Sequence, residues 1–296
     1  MHEFFAKTYS AHQFKDMQRL ESIKQKMQRL LEEWGFITVA GSSEDFVAAN
    51  EMGDKKLRPT AVGKRVSELY LDPLTARHIL DCLAGFDDKK NAFSLLQMVS
   101  NTLEMRPLLS VKSKEQEKIQ EELNRRIELL LKEEPSAYDI DYDDFISSIK
   151  TALFFESWIE EKDEDFLLET FGIRPGEIKV KQDSADWLLH ASEELASMNH
   201  HHGAVTEIRK LRVRVEYGVK EELLALLKLK GIGRIRARKL YLNGIKNVGD
   251  LKKVDTATLS QLLGKAVADS VKKQVGEEVL EISKGARKGQ TSILKF

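Results

Sequence analysis

The stretch KGIGRIRARKLY, residues 230–241, constrains this chain more than any other. It places glycines at 231 and 233 around one isoleucine, between the apolar run LLALLKL and a second helical run that ends in Gly244. Two helices must therefore meet at a turn too sharp for residues carrying a Cβ, with Gly244 at the C′ position of the second. Such a hairpin leaves successive backbone N–H groups pointing outward beside a helix N-terminus. Together they form a nest that accepts a phosphate without reading base sequence. Arg234, Arg236, Arg238 and Lys239 follow within six positions, which adds cations around the same turn. Arg238 lies four residues after Arg234 and shares its side, while Arg236 points elsewhere, toward another strand or another domain. A weaker second hairpin is expected at LLGKAVADSVKKQV.

The charge balance makes this clustering informative. The 296 residues carry a net charge of −1, so the chain as a whole offers no electrostatic case for an anionic partner. Between Gly231 and Lys253, however, seven Lys and Arg residues face a single acid, Asp250. One cysteine, Cys82, excludes an internal disulfide and any cysteine-only metal site. No apolar run is long enough to span a bilayer, and the first residues lack a signal-peptide layout. The expectation is a cytoplasmic, nucleoid-associated protein.

The remaining chain reads as mostly α. Residues 1–85 alternate helix, strand, polar turn, strand and helix, the order of a winged-helix domain with short strands. Its first helix carries Met17, Leu20, Ile23, Met27, Leu30 and Leu31 on one face, GFITVA at 35–40 is a strand, and a later helix starts near Pro59. Residues 86–215 read as a helical, acidic domain, with LRVRV at 211–215 taken as helix. Residues 216–285 hold the hairpins, and 286–296 form a flexible tail. Asp139, Asp141 and Asp143 mimic the start of a calcium loop, but Asp144 and Lys150 stand where glycine and glutamate are required. The histidines at 200–202 are adjacent and read as a surface loop.

Two further features bear on binding. On a helix over residues 175–198, Ile178, Ala185, Leu188, Leu189, Leu195 and Ala196 form one stripe, and Trp187 falls roughly 140° away from it at about 100° per residue. It either packs a second domain or offers a stacking platform for an unpaired base. In the tail, Gln290, Ile293 and Phe296 are spaced as in a sliding-clamp docking motif, although the usual second aromatic is missing. No phosphate-binding G-x-x-x-x-G-K-[ST] loop and no convincing acid–His–nucleophile set occur, so no ATPase activity or other catalysis is expected of these residues.

Three stretches, RPTAVGKRVSELYLDPLTA, SADWLLHASEELA and YGVKEELLALLKLKGIGRIRARKLYLNGI, together resemble the C-terminal half of the archaeal Hjm-type superfamily 2 DNA helicases, relatives of HELQ and the polymerase-theta helicase region. The resemblance runs through nearly all of residues 1–285. It implies a winged-helix domain, a helical ratchet domain and a helix-hairpin-helix domain, with single-stranded and forked DNA as partners. ATP and Mg would belong to motor domains outside this chain, which would itself be a C-terminal portion or a separately encoded half. The resemblance further implies that Trp187 stacks on a translocating strand and that Lys179 and Lys181 contact phosphates. Arg234, Arg236 and Arg238 match an Arg-x-Arg-x-Arg signature gripping the exiting 3′ strand. The competing expectations are a non-catalytic adaptor joining a clamp or single-strand-binding protein to repair sites, and a helix-hairpin-helix DNA glycosylase.

Overall fold

A computed structural model describes residues 17–39, 57–87 and 89–276. Gln290, Ile293 and Phe296 lie outside the described residues. Among those described, the regular structure is helical, mostly α with short 3₁₀ turns, apart from one two-stranded antiparallel sheet. It divides into two compact units, residues 1–216 and 217–296.

The first unit opens with α1 (Met17–Glu33), β1 (Ile37–Val39), β2 (Leu57–Pro59) and α2 (Ala61–Glu68). Ile37 pairs with Pro59 and Val39 with Leu57. The helix expected near Pro59 begins two residues later because Thr60 is its N-cap: Thr60 Oγ1 accepts from the Gly63 N–H at 3.0 Å and donates to the Gly35 carbonyl at 2.7 Å. Gly63 must be a glycine for a different reason. A Cβ there would sit 1.9 Å from the Phe36 carbonyl oxygen, so α2 and the entry to β1 touch backbone to backbone. The apolar face of α1 is only partly covered: Leu31 packs on the core, but Ile23 and Met27 are about half exposed, at 48% and 57%.

Next come α3 (Pro73–Ala84), α4 (Ala92–Ser100), α5 (Gln116–Arg126), α6 (Tyr142–Ile159), α7 (Glu164–Phe171), α8 (Pro175–Met198) and α9 (His202–Tyr217). The caps follow sequence chemistry. Asp72 caps α3 ahead of Pro73, Asn91 forms a capping box with Ser94, and Asp163 caps α7. α4 is buried from Phe93 to Ser100 and packs against α6, where the Gln97 side-chain amide donates to Ser148 Oγ at 3.2 Å. One apolar cluster runs from Phe36 to Val215, including every stripe residue of α8 named above. LRVRV lies within α9 and is helical, as its spacing indicates. The acids of the calcium-like stretch have local roles: Asp139 accepts from the Ser136 N–H at 3.0 Å, and Asp144 pairs with Arg106 at 2.6 Å.

The second unit holds α10 (Leu224–Leu227), α11 (Arg234–Leu242), α12 (Val248–Lys253), α13 (Thr256–Leu263) and α14 (Lys265–Gln274). Its own core contains Leu223, Leu226, Ile232, Leu240, Leu259 and Val271. Two helical hairpins are present. The first joins α10 to α11 through Gly231 and Gly233, and the second joins α13 to α14 through Gly264.

Candidate nucleic-acid interface

The first hairpin turn is built by a short i→i+3 bond, the Ile232 N–H donating to the Leu229 carbonyl at 3.2 Å. Ile232 is buried and anchors the turn, while Gly231 sits in the left-handed region at φ +86°. That conformation disfavours any residue with a Cβ. Gly233 is extended, at φ −111° and ψ −171°, and is the N-cap of α11 with no side-chain cap on the helix. A Cβ built on either glycine meets nothing within 4 Å, so the turn opens to its surroundings.

The basic residues after the turn divide into separate roles. Arg236, expected to point toward another strand or domain, instead folds back: its Nη1 donates to the Gly231 carbonyl at 2.8 Å. Arg238, expected beside Arg234 on the phosphate side, pairs with Glu222 at 2.6 Å, and its guanidinium lies 5.2 Å from the Tyr241 ring centroid. Lys246 approaches the same ring at 5.4 Å. Lys239 is exposed, as is Ile235, at 82%. The Tyr241 contact follows from i,i+3 spacing within α11, whereas sequence spacing contains no signal for the Glu222 pair, which depends on how α11 is rotated in its bundle.

On α8 the three residues named from sequence have three different environments. Lys179 is exposed and forms a 2.7 Å ion pair with Asp183, whose hydrogen bond and charge hold the ammonium above its ordinary range. Trp187 is half-buried against the core, and its Nε1–H donates to the Leu69 carbonyl at the end of α2 at 3.1 Å. Lys181 requires a correction. Its side chain is buried, at 7% exposure, and its ammonium donates to the carbonyl oxygens of Met105, at 2.6 Å, and Pro107. Burial pushes its pKa down. An ammonium enclosed in this way cannot serve a phosphate on the surface.

A charged cluster beside Trp187 was not anticipated. Arg212 of α9 reaches Asp186 at 3.0 Å, Glu193 at 3.1 Å and the Nδ1 of His190 at 3.3 Å, while Arg209 also holds Glu193 at 2.6 Å. Burial lowers the Arg212 pKa, but the hydrogen bonds the guanidinium donates to Asp186 and Glu193, with their charges, outweigh it and leave a net rise. These pairs join α8 to α9, and only the packing of the two helices reveals them.

Fold and turn together define a helical chain that carries a tandem helix-hairpin-helix unit. Residues 223–277 match the SAM-like helix-hairpin-helix tandem, and residues 93–218 match domain 4 of the archaeal helicases. The relatives sharpen the class. The chain is 32% identical over 308 residues to the ATP-dependent DNA helicase Hel308 of Caldivirga maquilingensis, covering 99% of this chain and 38% of that protein. It is 30% identical over 298 residues to Hel308 of Pyrococcus abyssi, covering 98% and 38%. The corresponding figures for Hel308 of Methanocaldococcus jannaschii are 33% over 273 residues, 92% and 20%. The chain is thus homologous to the archaeal Hel308 helicases over nearly its whole length, and it spans 20–38% of the length of these three relatives.

Proposed function

We propose that this chain is the DNA-binding C-terminal module of an ATP-dependent 3′–5′ DNA helicase acting at stalled replication forks. In this reading residues 1–85 form a winged-helix domain and 86–215 a ratchet domain, with Trp187 stacking on the moving single strand. The hairpin of residues 229–236 grips the backbone of the exiting strand. ATP and Mg are bound by motor domains, and the tail residues Gln290, Ile293 and Phe296 dock a sliding clamp.

The observation that carries the proposal is the open hairpin turn: left-handed Gly231, uncapped α11 and a guanidinium at position 236 held on the turn. Amides and cations so placed suit a phosphate and discriminate no base. The open face of Lys179 on α8 supports a second contact.

The test is a fluorescence-anisotropy titration of the chain with single-stranded, forked and duplex DNA, with and without motor domains. Replacing Arg234, Arg236 and Arg238 by alanine should flatten the salt dependence, each lost phosphate contact reducing the slope by roughly 0.7 for single strands. Trp187→Ala should weaken binding at every sequence, whereas Trp187→Phe keeps a ring and loses only the bond to Leu69. If both tryptophan variants bind as the parent does, Trp187 packs the fold and does not stack on DNA. Negligible DNA affinity together with clamp binding that disappears on tail deletion would favour the adaptor.

A further inference from the structure

We infer that Gln274, the last residue of α14, is a positioning residue that sets the orientation of the Gly231 N–H in the first hairpin. This rests on the hairpin reading above and assigns a part of the second hairpin to it. The side-chain amide of Gln274 meets Lys230 at two points: the Lys230 N–H donates to Oε1 at 2.8 Å, and Nε2 donates to the Lys230 carbonyl at 3.1 Å. Nε2 also lies 3.3 Å from the Ser270 carbonyl one turn back in α14, which holds the amide in place.

Lys230 and Gly231 are the two central residues of the turn closed by the Ile232-to-Leu229 bond. The peptide joining them has no bond within the turn to fix its tilt. Because a trans peptide is planar, its C=O and N–H point in opposite directions. Holding the Lys230 carbonyl on the α14 side therefore turns the Gly231 N–H away from α14. The next peptide is held separately, its carbonyl by Arg236 at 2.8 Å and its N–H by Leu229. The two side chains thus clamp consecutive peptide planes, one from 44 residues downstream and one from within α11.

The two hairpins are consequently not equivalent. Gly264 has φ +84° and ψ +147°, and Leu262 stands where the first hairpin has its first glycine. The second hairpin lacks the glycine pair and supplies the splint.

The experiment uses the full chain and the variants Gln274→Met, which removes both bonds at similar size, and Gln274→Glu, which keeps the acceptor for Lys230 N–H and removes the donor. Backbone ¹⁵N relaxation should show Gly231 rigid in the parent, with an order parameter near 0.85, and falling below about 0.6 in Gln274→Met. Single-stranded DNA affinity should drop about tenfold in that variant, with Gln274→Glu in between, while the thermal transition of each variant checks that the unit is folded. Where Gln274→Met does not fold, the same readings on Gln274→Glu decide. Unchanged Gly231 order and unchanged affinity would overturn the inference. Loosening of Gly231 in a chain whose parent binds no DNA would leave the positioning role intact and remove the hairpin as a DNA grip.

Discussion

In α8, Lys181 lies inside the protein with two carbonyl oxygens on its ammonium; in α11, Arg236 stays at the surface and braces the turn it follows. The contrast comes from the size of what each helix packs against. α8 is 24 residues long and has Ile178, Ala185, Leu188 and Leu195 in the core. Position 181 falls three residues after Ile178 and four before Ala185, so the period of the helix turns it inward whatever residue it holds. α11 has nine residues and buries only Ala237 and Leu240, so its cations remain outside. A cation in a long core helix is first a matter of satisfying backbone; a cation on a short hairpin helix can meet a ligand.

Four experiments test this contrast, beginning with the largest effect. Lys181→Met should destabilise the first unit by about 4 kcal/mol, since two charge-assisted bonds are lost and the Met105 and Pro107 carbonyls are left buried. Urea unfolding followed by tryptophan fluorescence measures it, because Trp34, Trp158 and Trp187 all lie in the first unit. A variant of unchanged stability but weakened DNA binding would return Lys181 to the interface.

Second, the units should differ in acid. Burial, with the nearby Lys132 charge adding to it, lowers the His78 pKa from 6.5 to about 4. The unfolded chain therefore takes up the proton first, so His78 contributes fully above about 6.5 and its contribution is lost as pH falls toward 4. That amounts to about 3 kcal/mol in the first unit. The second unit has no histidine between residues 217 and 296 and should change much less over this range; hydrogen bonds from Thr258 hold the Asp255 pKa down, a contribution lost only as pH falls below the ordinary aspartate range. Thermal melts at pH 7 and pH 4.5, read by tryptophan fluorescence and by circular dichroism, would separate the two. Equal acid sensitivity in both units would break the distinction.

Third, Gly231→Ala should cost the second unit about 1–2 kcal/mol through its left-handed backbone alone, since the space around it is open. It should also reduce DNA affinity, and a full melting curve beside an anisotropy titration checks both. Smallest of all, Lys179→Ala should leave the melting temperature unchanged because its partner Asp183 is equally exposed. Only the salt slope of DNA binding should move, and a stability loss comparable to that of Lys181→Met would erase the difference between the two lysines.

Much of the architecture was legible from local spacing. The glycine pair, the apolar frame of the hairpin and the stripe on α8 are periodic or turn signals carried by neighbouring residues, and each element formed where those signals lie. Lys181 was legible too, since its register with Ile178 and Ala185 already places it on the core face. The period of the helix, not the phosphate contact that the resemblance implies, accounts for where the Lys181 side chain lies. The exposure of Ile23 and Met27 shows the opposite limit: an apolar face on α1 does not specify what covers it.

Pattern within a few residues therefore decides which segments are helices, where they turn and which side faces inward, because backbone hydrogen bonds and side-chain periodicity act over one or two turns. It does not decide which distant groups meet. The Trp187 N–H bond to Leu69 closes over 118 residues and the Gln274 amide reaches Lys230 over 44. Such contacts have no period to announce them. They arise once whole helices dock and a side-chain donor is brought to a backbone carbonyl of a distant element.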